Sequence, residues 1–206
     1  MMRSIRLAAL AIAALALAGC VSLLPKSKPA HLYRFGQPAG AELASVPAGQ
    51  VSVLRAAGVF PREAAGDRIL TVDGGKVAYL AESRWAAPAG VLWDQAVLAA
   101  FDADPGAVRL VSRGEPTSAA YVLRLDVRNF EANYDRGPGS APEVLVRVRV
   151  ALIPSGRTAE VSEQIIEARA RAGDNRVSAI VRAYDAAVSE VLGKVVAWTN
   201  AAARPA

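Results

Sequence analysis

Tyr121-Val-Leu-Arg-Leu-Asp-Val-Arg-Asn-Phe-Glu-Ala-Asn-Tyr134 is the stretch whose reading decides the fold. Tyr121, Leu123, Leu125 and Val127 alternate with Val122, Arg124, Asp126 and Arg128, the period of a half-buried strand. After Val127 the apolar phase moves to Phe130, Ala132 and Tyr134. One extra residue near Arg128 or Asn129 produces that shift, so a β-bulge is predicted there. The loop 135–142, with Gly137-Pro138-Gly139, leads to a second alternating run, Val144, Val146, Val148, Val150 and Leu152, with Arg147 and Arg149 on its other face. Pro154-Ser155-Gly156 then turns the chain into a third strand, Glu160 to Arg171. Three consecutive strands joined by short turns form a meander.

The elements on either side complete the class. Downstream, Val177, Ile180, Val181, Tyr184, Val188, Val191, Leu192, Val195 and Trp198 recur at three and four residues, a helix with Asp174 or Asn175 as N-cap. Upstream, Ile69–Val72 and Lys76–Leu80 flank Asp73-Gly74-Gly75, a hairpin turn whose glycines accept positive φ. Shorter strands are predicted at His31–Phe35, Val51–Ala57 and Val108–Ser112, with Gly36 to Gln50 as loop. A helix from about Gly90 to Asp102 presents Trp93, Val97, Ala100 and Phe101 on one side, and Asp104-Pro105-Gly106 stops it. The expected fold class is α/β: a single domain, a mixed or largely antiparallel β-sheet with two main helices packed on it, the second closing the chain.

The beginning of the chain has a different composition. Arg3 and Arg6 precede Leu7–Ala18, a twelve-residue run of Ala, Leu and Ile. A bilayer span needs ~20 apolar residues, so the run fits an export signal rather than a transmembrane helix. Leu17-Ala18-Gly19-Cys20 is a lipobox: small side chains admit the signal peptidase, and the Cys20 thiol takes a diacylglycerol as a thioether. Residues 1–19 are expected to be removed, 20–30 to form a lipidated tether, and 31–206 to fold. Ten extended residues reach at most ~33–36 Å, which keeps the folded part near its membrane. Val21 and Ser22, rather than Asp, follow Cys20 and direct the expected address to the periplasmic face of the outer membrane.

Composition narrows the chemistry. The chain carries 24 basic and 19 acidic residues, one histidine and one cysteine. Lipidation of Cys20 leaves no thiol for a disulfide, a metal or a nucleophile. The charges are interspersed, which argues against a nucleic-acid surface. His31 sits beside the tether without an evident orienting partner, and no GxSxG elbow, P-loop or metal-ligand spacing is present. No enzyme, metal site or cofactor beyond the covalent lipid is therefore expected. The charged strand face, Arg124, Asp126, Arg128, Arg147, Arg149 and Glu167, reads either as a docking surface or as a solvated face of alternating charge. Trp85, placed in a turn after the hairpin, reads as core or as an exposed anchor, whereas Trp93 and Trp198 lie on core stripes.

Taken in order, these features resemble the ABC-type transport auxiliary lipoproteins, the family that includes the lipoprotein of the paraquat-inducible system. The resemblance rests on the lipobox at Cys20, Leu32-Tyr33-Arg34, the hairpin leading to Ser83-Arg84-Trp85, and the helix after it. The strand Val122–Glu131 and the helix end Val195-Val196-Ala197-Trp198 complete it. Ala86-Ala87 stand where the family often has an acid after the tryptophan, so no polar contact is carried over there. The resemblance implies a non-enzymatic outer-membrane lipoprotein subunit of an MCE-like envelope lipid transport system, anchoring or docking the complex. The implied partners are the membrane, an MCE-type periplasmic protein and an ABC permease/ATPase complex, with self-association open. The alternatives are an outer-membrane assembly or secretion accessory, or a periplasmic enzyme with an unrecognised site.

Overall fold

The structure, a computed structural model, describes residues 29–36, 49–111, 114–115, 118–156 and 160–203. The leader, the lipobox with Cys20, most of the tether and most of the Gly36–Gln50 loop lie outside the described residues. His31–Ala206 forms one compact unit.

The meander supplies the frame. β6 (Tyr121–Asn133), β7 (Glu143–Pro154) and β8 (Ser162–Arg171) pair antiparallel along nearly their whole length. The register slips between Val127 and Asn129, which leaves Arg128 as the extra residue of the expected bulge. Leu123, Leu125, Val127, Phe130 and Ala132 consequently stay on one face and are all buried. From β7, Val144, Val146, Val148, Val150 and Leu152 join them.

The other edge of β6 is shared. β2 (Val51–Arg55) pairs parallel with its first residues, and β5 (Val108–Val111) extends that side. β3 (Arg68–Asp73) pairs parallel with its last residues, Thr71 against Ala132 and Val72 against Asn133. β4 (Lys76–Trp85) and then β1 (His31–Tyr33) continue outward from β3. The result is a mixed eight-stranded sheet whose parallel pairs all involve strands from the first half of the chain. The β3–β4 hairpin turns at Gly74 and Gly75, both at positive φ, as a two-residue turn of the primed type requires.

Between β2 and β3 the chain lies against β6. The amide of Ala56 donates to the Leu123 carbonyl (2.9 Å), and that of Val127 to the Val59 carbonyl (2.8 Å). Gly58 makes this possible: a Cβ there would stand 1.7 Å from the Leu125 oxygen. A one-turn helix, α1 (Arg62–Ala65), follows Pro61. It was not expected from the sequence, because four residues are too few to show a period.

Two long helices cover the same sheet face. In α2 (Ala89–Asp102), Leu92, Trp93, Ala96, Val97 and Phe101 are buried. Its first amide, at Ala89, finds the Gly66 carbonyl at 2.9 Å, since Pro88 at the N-cap offers no side-chain cap. α3 (Val177–Ala202) buries Ile180, Tyr184, Val188, Val191 and Val195 against β7 and β8, and Trp198 packs partly against the core. Its N-cap is Arg176, which corrects the expectation of Asp174 or Asn175. Asp174 instead accepts the Arg176 amide (2.7 Å), and Asn175 receives the Tyr134 hydroxyl (2.8 Å) and donates to the Pro138 carbonyl.

Ser83-Arg84-Trp85 differs from its sequence reading in another way. These residues end β4 rather than forming a turn, because β1 pairs with them, Tyr33 against Trp85. Trp85 is 2% exposed and meets Phe35 edge-on with centroids 4.9 Å apart. Phe130 and Tyr184 complete the cluster, at 5.0 Å from each other. The Tyr184 hydroxyl crosses to the sheet and donates to the Leu70 carbonyl at 2.7 Å. Burial holds its phenol ionisation well above the ordinary range, reinforced by Glu131 and opposed by a backbone hydrogen bond at Ala132.

Candidate functional site

The charged positions singled out in the sequence come together on the outer face of β6, β7 and β8, opposite the helices. Register places Asp126 across from Arg149, and Arg147 across from Glu167, on one side of the pleat. The side chains use that proximity. Arg147 reaches Glu167 at 2.7 Å, Arg149 reaches Glu163 at 2.6 Å, and Arg169 bridges Glu143 and Glu167 at 3.3 and 3.2 Å. Arg171 forks onto Asp135 (2.8 Å) and Glu143 (3.1 Å).

Charge and hydrogen bonding reinforce each other across this network. Hydrogen bonds from Arg147, then Arg169, hold the Glu167 carboxyl below its ordinary pKa, and Arg171 does the same for Asp135. The arginines move the opposite way: Glu163 raises Arg149, Glu167 raises Arg169, and Asp135 raises Arg171. These groups are solvated. An ion-paired face of this kind is compatible with water, which screens its charges.

Asp126 stands apart. It is 3% exposed, whereas the other charged side chains of this face keep about a quarter or more of their surface in water. Its Oδ1 accepts the Val59 amide (3.1 Å) and Arg124 Nε (3.0 Å), and Arg128 lies 4.0 Å from Oδ2. The carboxylate thus ties the segment after β2 to the middle of β6, a role invisible in the alternation of β6 itself. Around it two guanidiniums share one acid, which leaves the Arg124–Arg128 end the more positive part of the face. Trp85 is not on this face; it lies in the aromatic cluster on the opposite side.

A concave feature lies between α2 and α3. Ala99 and Ala100 on one helix with Ala103 at its C-cap, and Ser189, Gly193 and Ala197 on the other, are too small to close the space between them. They leave a groove of about 410 Å3. Gly36 sits at one end at φ +67°, where a Cβ would approach that of Ala96 to 2.4 Å, and its amide donates to Asp185 (2.7 Å). Asn200 closes the other end, donating to Asp104 (2.6 Å) and accepting the Val108 amide (3.0 Å). Sequence reading missed the groove, since small residues on a helix read as ordinary helix formers.

Among the described residues there is no group of three or more His, Cys, Asp and Glu placed to hold a metal ion. No helix among them is long and apolar enough to cross a membrane.

Comparison with solved structures shows the same fold elsewhere. Protein XCC0632 from Xanthomonas campestris, described under a family of unknown function (DUF330), superposes with a TM-score of 0.67 at 23% identity, covering 83% of this chain and 95% of that one. A structure described only as an uncharacterized protein gives 0.61 at 13% identity, over 83% and 99%. A comparison with curated proteins found no match. Residues 34–196, from the end of β1 into the last turns of α3, match the family model described as the ABC-type transport auxiliary lipoprotein component, and the chain belongs to that family.

Proposed function

We propose that this protein is a non-enzymatic, lipid-anchored subunit of an MCE-like envelope lipid transport system, held by Cys20 at the periplasmic face of the outer membrane, where it anchors or docks the transport complex. The observation that carries the reading is the family match over residues 34–196 in a chain that also bears the Leu17-Ala18-Gly19-Cys20 lipobox. Export and lipidation account for the leader and the single cysteine together. The partners that supply ATP hydrolysis and permeation are an ABC permease/ATPase complex, and an MCE-type protein spans the periplasm between them.

Docking is assigned to the outer sheet face at its Arg124–Arg128 end, with Arg147 and Arg149 beside it. There the shared Asp126 leaves positive potential that a partner's acidic surface complements. The remaining ion pairs on the face fix side-chain positions in advance, which lowers the ordering cost of association.

Co-purification from solubilised membranes, followed by mass spectrometry, tests the reading. The native chain is expected to carry a thioether-linked lipid on Cys20 and to bring down an MCE-type protein with permease and ATPase subunits. The pair Arg124→Gln and Arg128→Gln, whose amides keep a donor for the buried Asp126, should lose those partners while keeping a folded circular dichroism spectrum. Recovery of secretion or outer-membrane assembly components in their place would overturn the transport assignment. Absence of lipid on Cys20 would overturn the anchor.

A further inference from the structure

Arg55 stands where the period-two pattern of β2 calls for an apolar residue. Val51 and Val53 precede it on the same face, Val53 is 0% exposed, and Arg55 pairs with the core residue Leu123. Its guanidinium therefore emerges on the helix-covered side of the sheet, beneath α2. The side chain is 19% exposed, and its Nη2 is bonded to Asp94 of α2. Among the described residues, Arg55 Nε is the buried side-chain nitrogen or oxygen left without a hydrogen-bond partner. A buried charged N–H without an acceptor is costly.

The space around it is built on one plan. On one side a cleft of about 470 Å3 is walled by Ala56, Ala57, Leu98 and Val111. On the other, a smaller one of about 210 Å3 is walled by Phe60 and Trp93. Arg55, Gly58 and Asp94 border both. Val59, Val91 and Leu98, three of the exposed large apolar side chains, belong to the same region of loop and helix. Asp94 itself is 57% exposed. One buried donor edge flanked by apolar walls, under a carboxylate at the surface, recognises an anion that carries hydrocarbon. The larger cleft falls within the ~300–1,000 Å3 range of small-molecule sites.

The geometry points to a binding site for a single-chain anionic amphiphile, whose carboxylate or phosphate headgroup takes the Nε and Nη2 edge of Arg55 while its alkyl chain lies along Leu98 and Val111. Asp94 takes part of that edge in this structure, and it swings outward when the ligand enters. A planar guanidinium accepts either anion through two parallel N–H bonds. The assignment rests on this cleft alone. A chain found without lipid on Cys20 would overturn the anchor proposed above and leave this site standing.

The test uses the full lipidated chain in phosphatidylcholine vesicles and a dodecanoic acid probe bearing a diazirine at the far end of its chain. Illumination and peptide mass spectrometry are expected to place the label on the segments of Leu98 and Val111. Dodecanoate or dodecyl phosphate should compete it away and dodecanol should not; whichever acid competes at the lower concentration identifies the headgroup. Arg55→Gln should lower labelling roughly tenfold, the loss of a charge-assisted hydrogen bond. Asp94→Asn should raise it, because the internal competitor is removed. Should Arg55→Gln fail to fold by circular dichroism, Arg55→Lys keeps the charge without the fork, and the gain from Asp94→Asn still decides. Labelling indifferent to both positions, or competed equally by dodecanol, would overturn the proposal.

Discussion

Val146 and Val148 point from β7 into the core, while Arg147 between them points to solvent. The two faces of this one strand show how differently the molecule treats the same backbone. The inner face meets α3 and the aromatic cluster of Phe35, Trp85, Phe130 and Tyr184, and its Val144, Val146, Val148, Val150 and Leu152 are all buried. The outer face meets paired arginines and carboxylates that keep about a quarter to a half of their side-chain surface in solvent. Burial of each large apolar side chain contributes ~1.5–3 kcal/mol, whereas an exposed ion pair contributes ~0–1 kcal/mol. The inner face therefore holds the fold and the outer face is free to vary with function.

Removing α3 breaks this comparison at its strongest point. Truncation before Asp174 uncovers Val144, Val146, Val148 and Val150 together with the ring of Phe130. Because a domain has only ~5–15 kcal/mol of net stability, the truncated chain is expected to unfold. Loss of a cooperative melt by circular dichroism checks this. A melt close to that of the full chain would make α3 an interface rather than the cover of the core.

Asp126 sharpens the comparison, because it is the one outer-face carboxylate that behaves like an inner one. Asp126→Asn keeps the shape and removes the charge facing Arg124 and Arg128. Hydrogen bonds to a charged group contribute about 1.5–3 kcal/mol, and the neutral amide retains part of that with Val59. A loss of roughly 1–2 kcal/mol is expected, seen as a drop in Tm of several degrees for a domain of this size. Hydrogen exchange at the Val59 and Val127 amides should quicken in the variant, since the segment from Ala56 to Phe60 is what this carboxylate ties down. An unchanged Tm and unchanged exchange would return Asp126 to the class of solvated charges.

Those contrasts also show what could be read from the sequence. The meander, the bulge, the β3–β4 hairpin and the closing helix were legible because each is fixed by a local period or a turn. The sharing of β6 between β2 and β3 was not. Both strands are short, they pair with residues far ahead in the chain, and nothing local encodes a parallel neighbour. The charged face was visible as alternation, but the burial of Asp126 depends on a loop some 67 residues earlier in the chain. Trp85 could be core or anchor until β1 was seen to pair with the end of β4. Arg55 gave a sign in its place within the Val51, Val53, Arg55 alternation, though only the position of α2 turns that sign into a cleft.

The smallest effect is expected at Glu167, in the middle of the exposed network. Arg147 and Arg169 hold its pKa below the ordinary value, so the unfolded chain takes up the proton first as pH falls. Its contribution is then full above the unfolded pKa and disappears as pH drops through the folded one. The Glu167 side chain is 39% exposed, and screening limits its share to less than ~1 kcal/mol. Glu167→Gln should accordingly lower Tm by no more than about 2–4 °C near neutral pH, and by less in high salt. The gap between parent and variant should close once the pH lies below the folded pKa, where the parent carries a neutral acid at the same place. A gap that persists in acid, or that exceeds the cost of Asp126→Asn, would mean the outer network carries stability that its exposure does not allow, and the division of labour between the two faces would fail.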